Sequence, residues 1–306
     1  MAKELRRAFI FPGQGSQRVG MGKNLVNHPD RQLAQIAKKT YEEASDALGY
    51  NVLSLCLIGP EEVLRKTHMT QPALFTTSVA ALRLLLQQEI VPDMVAGHSL
   101  GEYSADVAVN SLGFAQALMV VARRGEFMEE AGKQNPGCMA AILGLSLEEV
   151  SRICEESGAQ IANVNSETQI IIAGGNNAVA NAVQVAENRR GGAKYLDVSI
   201  AGHCLLMEPA RQRLQTLLET EHVGDPKLPI ITNVTGDYAR SGSEVRQSLI
   251  DQMTKSVLWL DTVTRMSRDG VASCIEVGPG NVLTNLMKRI KTSPSITNTD
   301  TIFPAA

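Results

Sequence analysis

The chain has 306 residues, 44% of them hydrophobic and 20% charged, with a formal charge of −3. That length accommodates one large core, or a large domain with a smaller one inserted, and the composition excludes a disordered or fibrous chain. The charge excludes the broad basic field by which proteins gather nucleic-acid backbones, and no window nears the roughly eighteen apolar residues of a membrane span.

The basic opening, Met1 to Arg7, is followed by an apolar run, Ala8 to Phe11, too short for a signal-peptide core, so the protein is expected in the cytoplasm. Phe9-Ile10-Phe11 reads as a first strand that empties into the loop Pro12-Gly13-Gln14-Gly15-Ser16. Helices are expected over Asp30 to Leu48 and over Gln71 to Gln88, with Pro72 in the first turn of the second. Met94 to Gly97 repeats the first pattern: a strand, then His98-Ser99-Leu100-Gly101, then a helix from Glu102 to Val109. Strand, helix and strand in turn imply a parallel sheet covered on both faces.

Beyond about Gly137 the rhythm changes. Strands are expected over Cys138 to Leu145, Gln160 to Val164, Gln169 to Ala173 and Ala193 to Val198. Helices are expected over Ser146 to Ser157, capped by Ser146 with Glu149, and over Asn176 to Asn188. This β-α-β-β-α-β order is the ferredoxin-like pattern. The chain therefore divides into a large α/β domain, residues 1–130 and 199–306, and a small insert, residues 131–198. The large sheet resumes with Pro229 to Asn233 and with Ser273 to Val277, which ends in Gly278-Pro279-Gly280. Lys288, Arg289 and Lys291 close the last helix expected, as cations at a helix C-terminus commonly do.

Gly97-His98-Ser99-Leu100-Gly101 fits G-x-S-x-G, a sharp turn that presents a serine oxygen above a sheet end. The glycines are required because a β-carbon at either place would collide with the close strand-to-helix crossing. The pentapeptide alone also fits an ordinary turn with Ser99 as helix cap.

A serine hydroxyl becomes a competent nucleophile when a base within hydrogen-bond reach takes its proton. Of the five histidines, His98 adjoins Ser99 but points away from it, as a structural hydrogen bonder would, His28 sits next to Pro29 in a polar stretch, and His68 and His222 lie in charged or polar surroundings that suggest exposure. His203 remains, between the insert and a helix expected over Leu205 to Leu218, although its local sequence also fits a plain packing role. Cys204 beside it has an apolar setting that favours an inert thiol. The five cysteines lie far apart and form no CxxC pair, so neither a disulfide framework nor a metal site is indicated.

Arg124 lies in a helix expected over Phe114 to Ala131. Its neighbours three and four positions away, Val120, Val121, Phe127 and Met128, are all apolar, so it belongs to the buried stripe, with Arg123 beside it. A buried guanidinium is shaped to grip a carboxylate with two parallel bonds. That carboxylate could belong to one of the chain's own 32 acidic residues or to an acyl substrate.

Taken in order, Phe11 to Gln17, Gln71-Pro72-Ala73, Gly97 to Ala105, Arg124-Gly125, Ser199 to Cys204 and Glu276 to Gly280 resemble the malonyl-CoA:acyl-carrier-protein transacylases, over residues 8–290 or so. The resemblance implies an α/β-hydrolase-like large domain with a ferredoxin-like insert and a two-step transfer through a malonyl-serine ester, supplying fatty-acid synthesis. It implies Ser99 as nucleophile, His203 as base, the backbone carbonyl of Gln252 orienting the histidine, and backbone N–H groups of Gln14 and Leu100 as the oxyanion hole. It makes Arg124 the partner of the malonyl carboxylate. An acidic acyl carrier protein and malonyl-CoA are the implied partners, with coenzyme A as product, no cofactor or metal, no nucleic acid, and a monomer as the working unit.

Two positions depart from the family's pattern. Gly202 stands where a serine is often found, and Ser256 where a proline is usual. The first bears on which acyl groups fit beside the base. An esterase would share the serine turn but would not need a buried cation opposite its acyl pocket. A non-catalytic carrier-protein-binding module would need no working Ser99 and His203.

Overall fold

A computed structural model of the chain describes residues 6–198 and 200–304. Ser199, which opens the motif ending at Cys204, lies outside the described residues, as do residues 1–5 of the basic opening. Among the described residues ten strands run in chain order: β1 (Arg6–Phe11), β2 (Met94–Gly97), β3 (Cys138–Leu143), β4 (Gln160–Ser166), β5 (Gln169–Gly174), β6 (Gly192–Tyr195), β7 (Ile230–Ile231), β8 (Tyr238–Ala239), β9 (Val271–Glu276) and β10 (Ser295–Asn298).

Six of them form one sheet in the order β10-β9-β1-β2-β7-β8, parallel except for the β7–β8 pair at one edge. Alternate residues of β1 face opposite ways: Phe9 and Phe11 enter one apolar cluster, Ala8 and Ile10 another. Both faces are thus covered, as expected of a parallel sheet whose crossovers run over it. The central strands β1 and β2 pair with Phe11 opposite Gly97. Their following loops therefore leave the same sheet edge side by side, where open α/β sheets hold their ligands.

The remaining four strands form an antiparallel sheet, ordered β4-β5-β3-β6, and all of them fall between residues 138 and 195. With helices Leu147–Ser157 and Asn176–Asn188 between the strands, the order is the ferredoxin-like one read from the sequence. Ser146 and Glu149 form the expected capping box at the first of these helices.

Several boundaries differ from expectation. The second long helix begins at Thr67 rather than Gln71, because Lys66 is still extended, so Pro72 sits in the second turn and not the first. Tertiary burial explains this, since almost every residue of the helix from Thr70 to Leu85 is buried. The helix expected over Leu205 to Leu218 is broken at its start into a short 3₁₀ turn, Leu205–Met207, and a helix over Glu208–Thr220 whose second residue is Pro209. Strands β6 and β7 are shorter than their apolar runs. Lys288, Arg289 and Lys291 do not close the last helix, because β10 and the short helix Thr299–Ile302 follow them. Among the described residues, no helix is long and apolar enough to cross a membrane.

Candidate active site

The turn after β2 requires glycine at both flanks. A β-carbon on Gly97 would lie 1.9 Å from the Gly101 carbonyl carbon, and one on Gly101 would lie 2.0 Å from the Phe11 carbonyl oxygen. Ser99 itself has φ 52°, a left-handed conformation that costs a residue with a side chain roughly 1 kcal/mol or more. Asn233, just past β7, holds this bend: its Oδ1 accepts from the Ser99 N–H at 2.6 Å and its Nδ2 donates to the Gly97 carbonyl at 2.7 Å.

His203 is brought to Ser99 from 104 residues away, its Nε2 lying 2.8 Å from Ser99 Oγ. Its Nδ1 lies 2.5 Å from the Gln252 backbone carbonyl, which can only accept, so Nδ1 carries the hydrogen and Nε2 is free to take one. The imidazole is buried, and burial first, then the charge on Arg124, holds it down to about 3, so it is neutral near pH 7.

Arg124 is buried as the helical spacing requires, while Arg123 is exposed. Its helix, Phe114–Gln134, comes close to the Thr67–Gln87 helix because Gly125 has no side chain; a β-carbon there would lie 2.8 Å from His68 Cα. That approach sets the guanidinium beside Gln71 Oε1 at 2.8 Å, Gln252 Oε1 at 3.1 Å and Ser99 Oγ at 3.2 Å. None of these acceptors is a carboxylate, and Nε has no hydrogen-bond partner among the described residues. Of the two partners the sequence left open for Arg124, an internal carboxylate is therefore not the one found.

Gln14 and Leu100 both line the cleft beside Ser99. The loop carrying Gln14 lies against the serine turn closely enough that a β-carbon on Gly13 would be 2.4 Å from the His98 carbonyl oxygen. His98 points to the insert, Nε2 meeting Asn165 Oδ1 at 3.0 Å, and is the structural hydrogen bonder expected. His68 is half-buried and paired with Glu129 rather than exposed, and half-buried His28 packs edge-on against Phe303. Only His222 is exposed as expected. Cys204 is buried, which raises its thiol above the ordinary value, in keeping with an inert thiol. At Gly202 a β-carbon would meet only Met128 Cε, at 3.7 Å, so the departure from serine leaves room beside the base.

Gln71, Asn233 and Glu102 carry the site's support, yet their roles were not read from the sequence. Gln71 and Glu102 sit inside quoted motifs, but nothing in their spacing says which side chain they meet. Asn233 ends an apolar run like any strand terminus.

The whole arrangement, a strained serine, a neutral histidine held by a carbonyl and a buried arginine, opens on a cleft of about 500 Å³. Residues 8–304 match the model of the acyl transferase domain family. The chain belongs to that family. Within the acyl transferase family it is 43% identical, over 92% of each chain, to the malonyl CoA-acyl carrier protein transacylase of Escherichia coli K12. It superposes on the malonyl CoA-acyl carrier protein transacylase of Coxiella burnetii with a TM-score of 0.93 at 37% identity, covering 98% of this chain and 95% of that one. It is also similar to a malonyl-transacylase solved in complex with its type II polyketide acyl-carrier protein: TM-score 0.91, 39% identity, 96% and 95% covered.

Proposed function

We propose that the protein transfers the malonyl group of malonyl-CoA to the phosphopantetheine thiol of an acyl carrier protein, through a malonyl ester on Ser99, and so supplies fatty-acid synthesis. One observation carries the choice of acyl group: among the described residues buried Arg124 has only neutral hydrogen-bond acceptors, one of them the candidate nucleophile at 3.2 Å. The facing carboxyl, Glu102, reaches Arg124 only through the Gln252 amide, and a buried cation with no carboxylate in direct contact is costly. A substrate carboxylate two carbons from the reacting carbonyl supplies the anion at the right remove.

In this reading Ser99 Oγ attacks the thioester carbonyl as its proton passes to His203 Nε2, and the Gln252 carbonyl holds the resulting imidazolium by Nδ1–H. The backbone N–H groups of Gln14 and Leu100 receive the oxyanion, a role worth about 3 kcal/mol per donor in comparable sites. Coenzyme A leaves as a thiol with the proton from His203. The carrier's thiol then attacks the serine ester, gives its proton to His203, and releases Ser99. Exchange between a thioester and an ester is nearly balanced in energy, so the reading calls for no metal and no cofactor. A monomer suffices, because every residue invoked comes from one chain. The reading carries a cytoplasmic location, which the five free cysteines suit.

Incubation with radioactive malonyl-CoA tests the nucleophile: the wild-type chain should retain covalent label and Ser99→Ala none, and label on the variant would overturn the assignment. For the clamp, Arg124→Ala should lose malonyl transfer by about 10- to 100-fold, the worth of one charged hydrogen-bonding group, while gaining activity toward acetyl-CoA. An unchanged malonyl-to-acetyl ratio would defeat it.

A further inference from the structure

Behind the reacting groups lies a side chain that touches none of them. Glu102, the second residue of the helix that follows the serine turn, is fully buried. One carboxyl oxygen accepts from the Asn233 N–H at 3.1 Å and from Gln252 Nε2 at 3.1 Å, and the other accepts from Ser248 Oγ at 2.7 Å. Asn233 is the residue whose side chain pins the Ser99 N–H and the Gly97 carbonyl. Gln252 takes the His203 Nδ1 hydrogen on its backbone and Arg124 on its side chain.

We propose that Glu102 is the positioning residue of this site: a single buried carboxyl locks the support of the nucleophile to the support of the base and the arginine. The inference rests on the Ser99–His203 reading of the site and goes beyond it.

The chemistry of the group fits the role. Two oxygens fixed in one plane can hold three donors from two segments of chain at once, Asn233 after β7 and Ser248 with Gln252 at the end of the Gly242–Asp251 helix, which a hydroxyl or a single carbonyl cannot do at these separations. An amide side chain of Gln252 has its two ends engaged in opposite directions, Nε2 toward Glu102 and Oε1 toward Arg124, so fixing one end fixes the other. Asn233 is held by its backbone N–H and so presents its side chain to the turn at a set height. The facing charged groups are Arg124, which favours an ionised Glu102, and buried Asp106 one turn on, which opposes it; burial pushes the Glu102 carboxyl up to about 7. Both protonation states keep the three bonds, because Ser248 Oγ can accept as well as donate.

Three variants test this, read as the single-turnover acylation rate per active site, with sites counted by the burst of released coenzyme A. Glu102→Gln keeps an acceptor toward Asn233 and Gln252 and offers an N–H to Ser248, so its rate should stay within about threefold of wild type. Glu102→Met fills the same space with no acceptor. Its rate per site should fall at least about 30-fold, and its preference for malonyl over acetyl groups should fall with it, because Arg124 loses its fixed partner. A residue that only helped folding would lower the number of active sites and leave the rate per site unchanged. Should Glu102→Met fail to fold, Ser248→Ala removes one of the three donors and should slow acylation severalfold. Met and wild-type rates per site that agree within twofold, a Gln variant as slow as Met, or a Ser248→Ala rate equal to wild type would each overturn the proposal. Labelling of wild-type Ser99 is scored separately, so a failure of the nucleophile assignment is distinguishable from a failure of this one.

Discussion

His203 shows how much of the chemistry depends on surroundings rather than on residue type. An imidazole titrates near 6.5 in water, yet here burial and the neighbouring guanidinium hold it down to about 3, and the Gln252 carbonyl only partly offsets them. A neutral carbonyl in place of a carboxylate orients the ring without adding negative charge, so the base stays unprotonated in mildly acidic solution. Because the unfolded chain takes up this proton first, the stability contributed by the residue is whole above about pH 6.5 and drains as pH falls toward 3. The same balance predicts a split in activity. The acid limb of kcat/KM reports free enzyme and that of kcat reports the complex. A substrate carboxylate on Arg124 cancels the charge that depresses His203, so the limb in kcat should lie at higher pH than the limb in kcat/KM. Initial rates across about pH 2.5–8, low enough to reach the free-enzyme limb near 3, check this; coincident limbs would mean that Arg124 and the substrate carboxylate do not meet beside the base.

The two glycine flanks of the serine turn illustrate what elements demand of single positions. Gly101→Ala places a methyl 2.0 Å from the backbone oxygen of Phe11, which cannot move without breaking the β1–β2 pairing, so acylation should fall by at least about 100-fold or the protein should not accumulate in soluble form. By contrast a β-carbon at Gly113 meets nothing within 4 Å, the backbone there is extended, and Gln116 Oε1 already accepts from its N–H at 3.4 Å. Gly113→Ser would complete a capping box, so thermal stability should rise slightly, by roughly 0.5 kcal/mol, with activity unchanged. A Gly101→Ala protein with wild-type rates would refute the steric account. Such constraints were legible where they are local: the apolar run of β1, the strand-to-helix turn at Ser99 and the Ser146–Glu149 cap all follow from neighbours in sequence. Strands β8 and β10 were not, since two to four residues at a sheet edge carry no period to read. Nor was the start of the Thr67–Gln87 helix, where burial on all sides erased the amphipathic signal that marks a boundary. The site divides the same way. Arg124 announced itself by phase on a helix, whereas Glu102 looks in sequence like a solvated acid and is revealed only by what packs over it.

At the scale of the molecule the cleft lies between the large domain and the insert, lined by Ser99 in the turn after β2, Arg124 on the Phe114–Gln134 helix, and Asn163, Asn165 and Ile171 on the insert's strands. Two backbone bonds join β4 to the segment after Gln252, Val164 N to Val257 O and Val257 N to Ala162 O, both 2.9 Å, and Ser256 Oγ donates to the Ile161 carbonyl at 2.5 Å. Serine at position 256 thus makes its own tie to the insert. The insert is moored to the same stretch that holds His203, and His98 adds a second mooring through Asn165. These contacts shape the cleft wall, but none of the groups that would move a proton lies on the insert. Asn165→Ala should therefore cost about 1 kcal/mol, a fall of a few degrees in Tm, and slow acylation by less than about tenfold, chiefly through KM. A hundredfold loss in kcat with Tm unchanged would show instead that the insert takes part in the chemistry, and that the division of labour between the large domain and the insert is wrong.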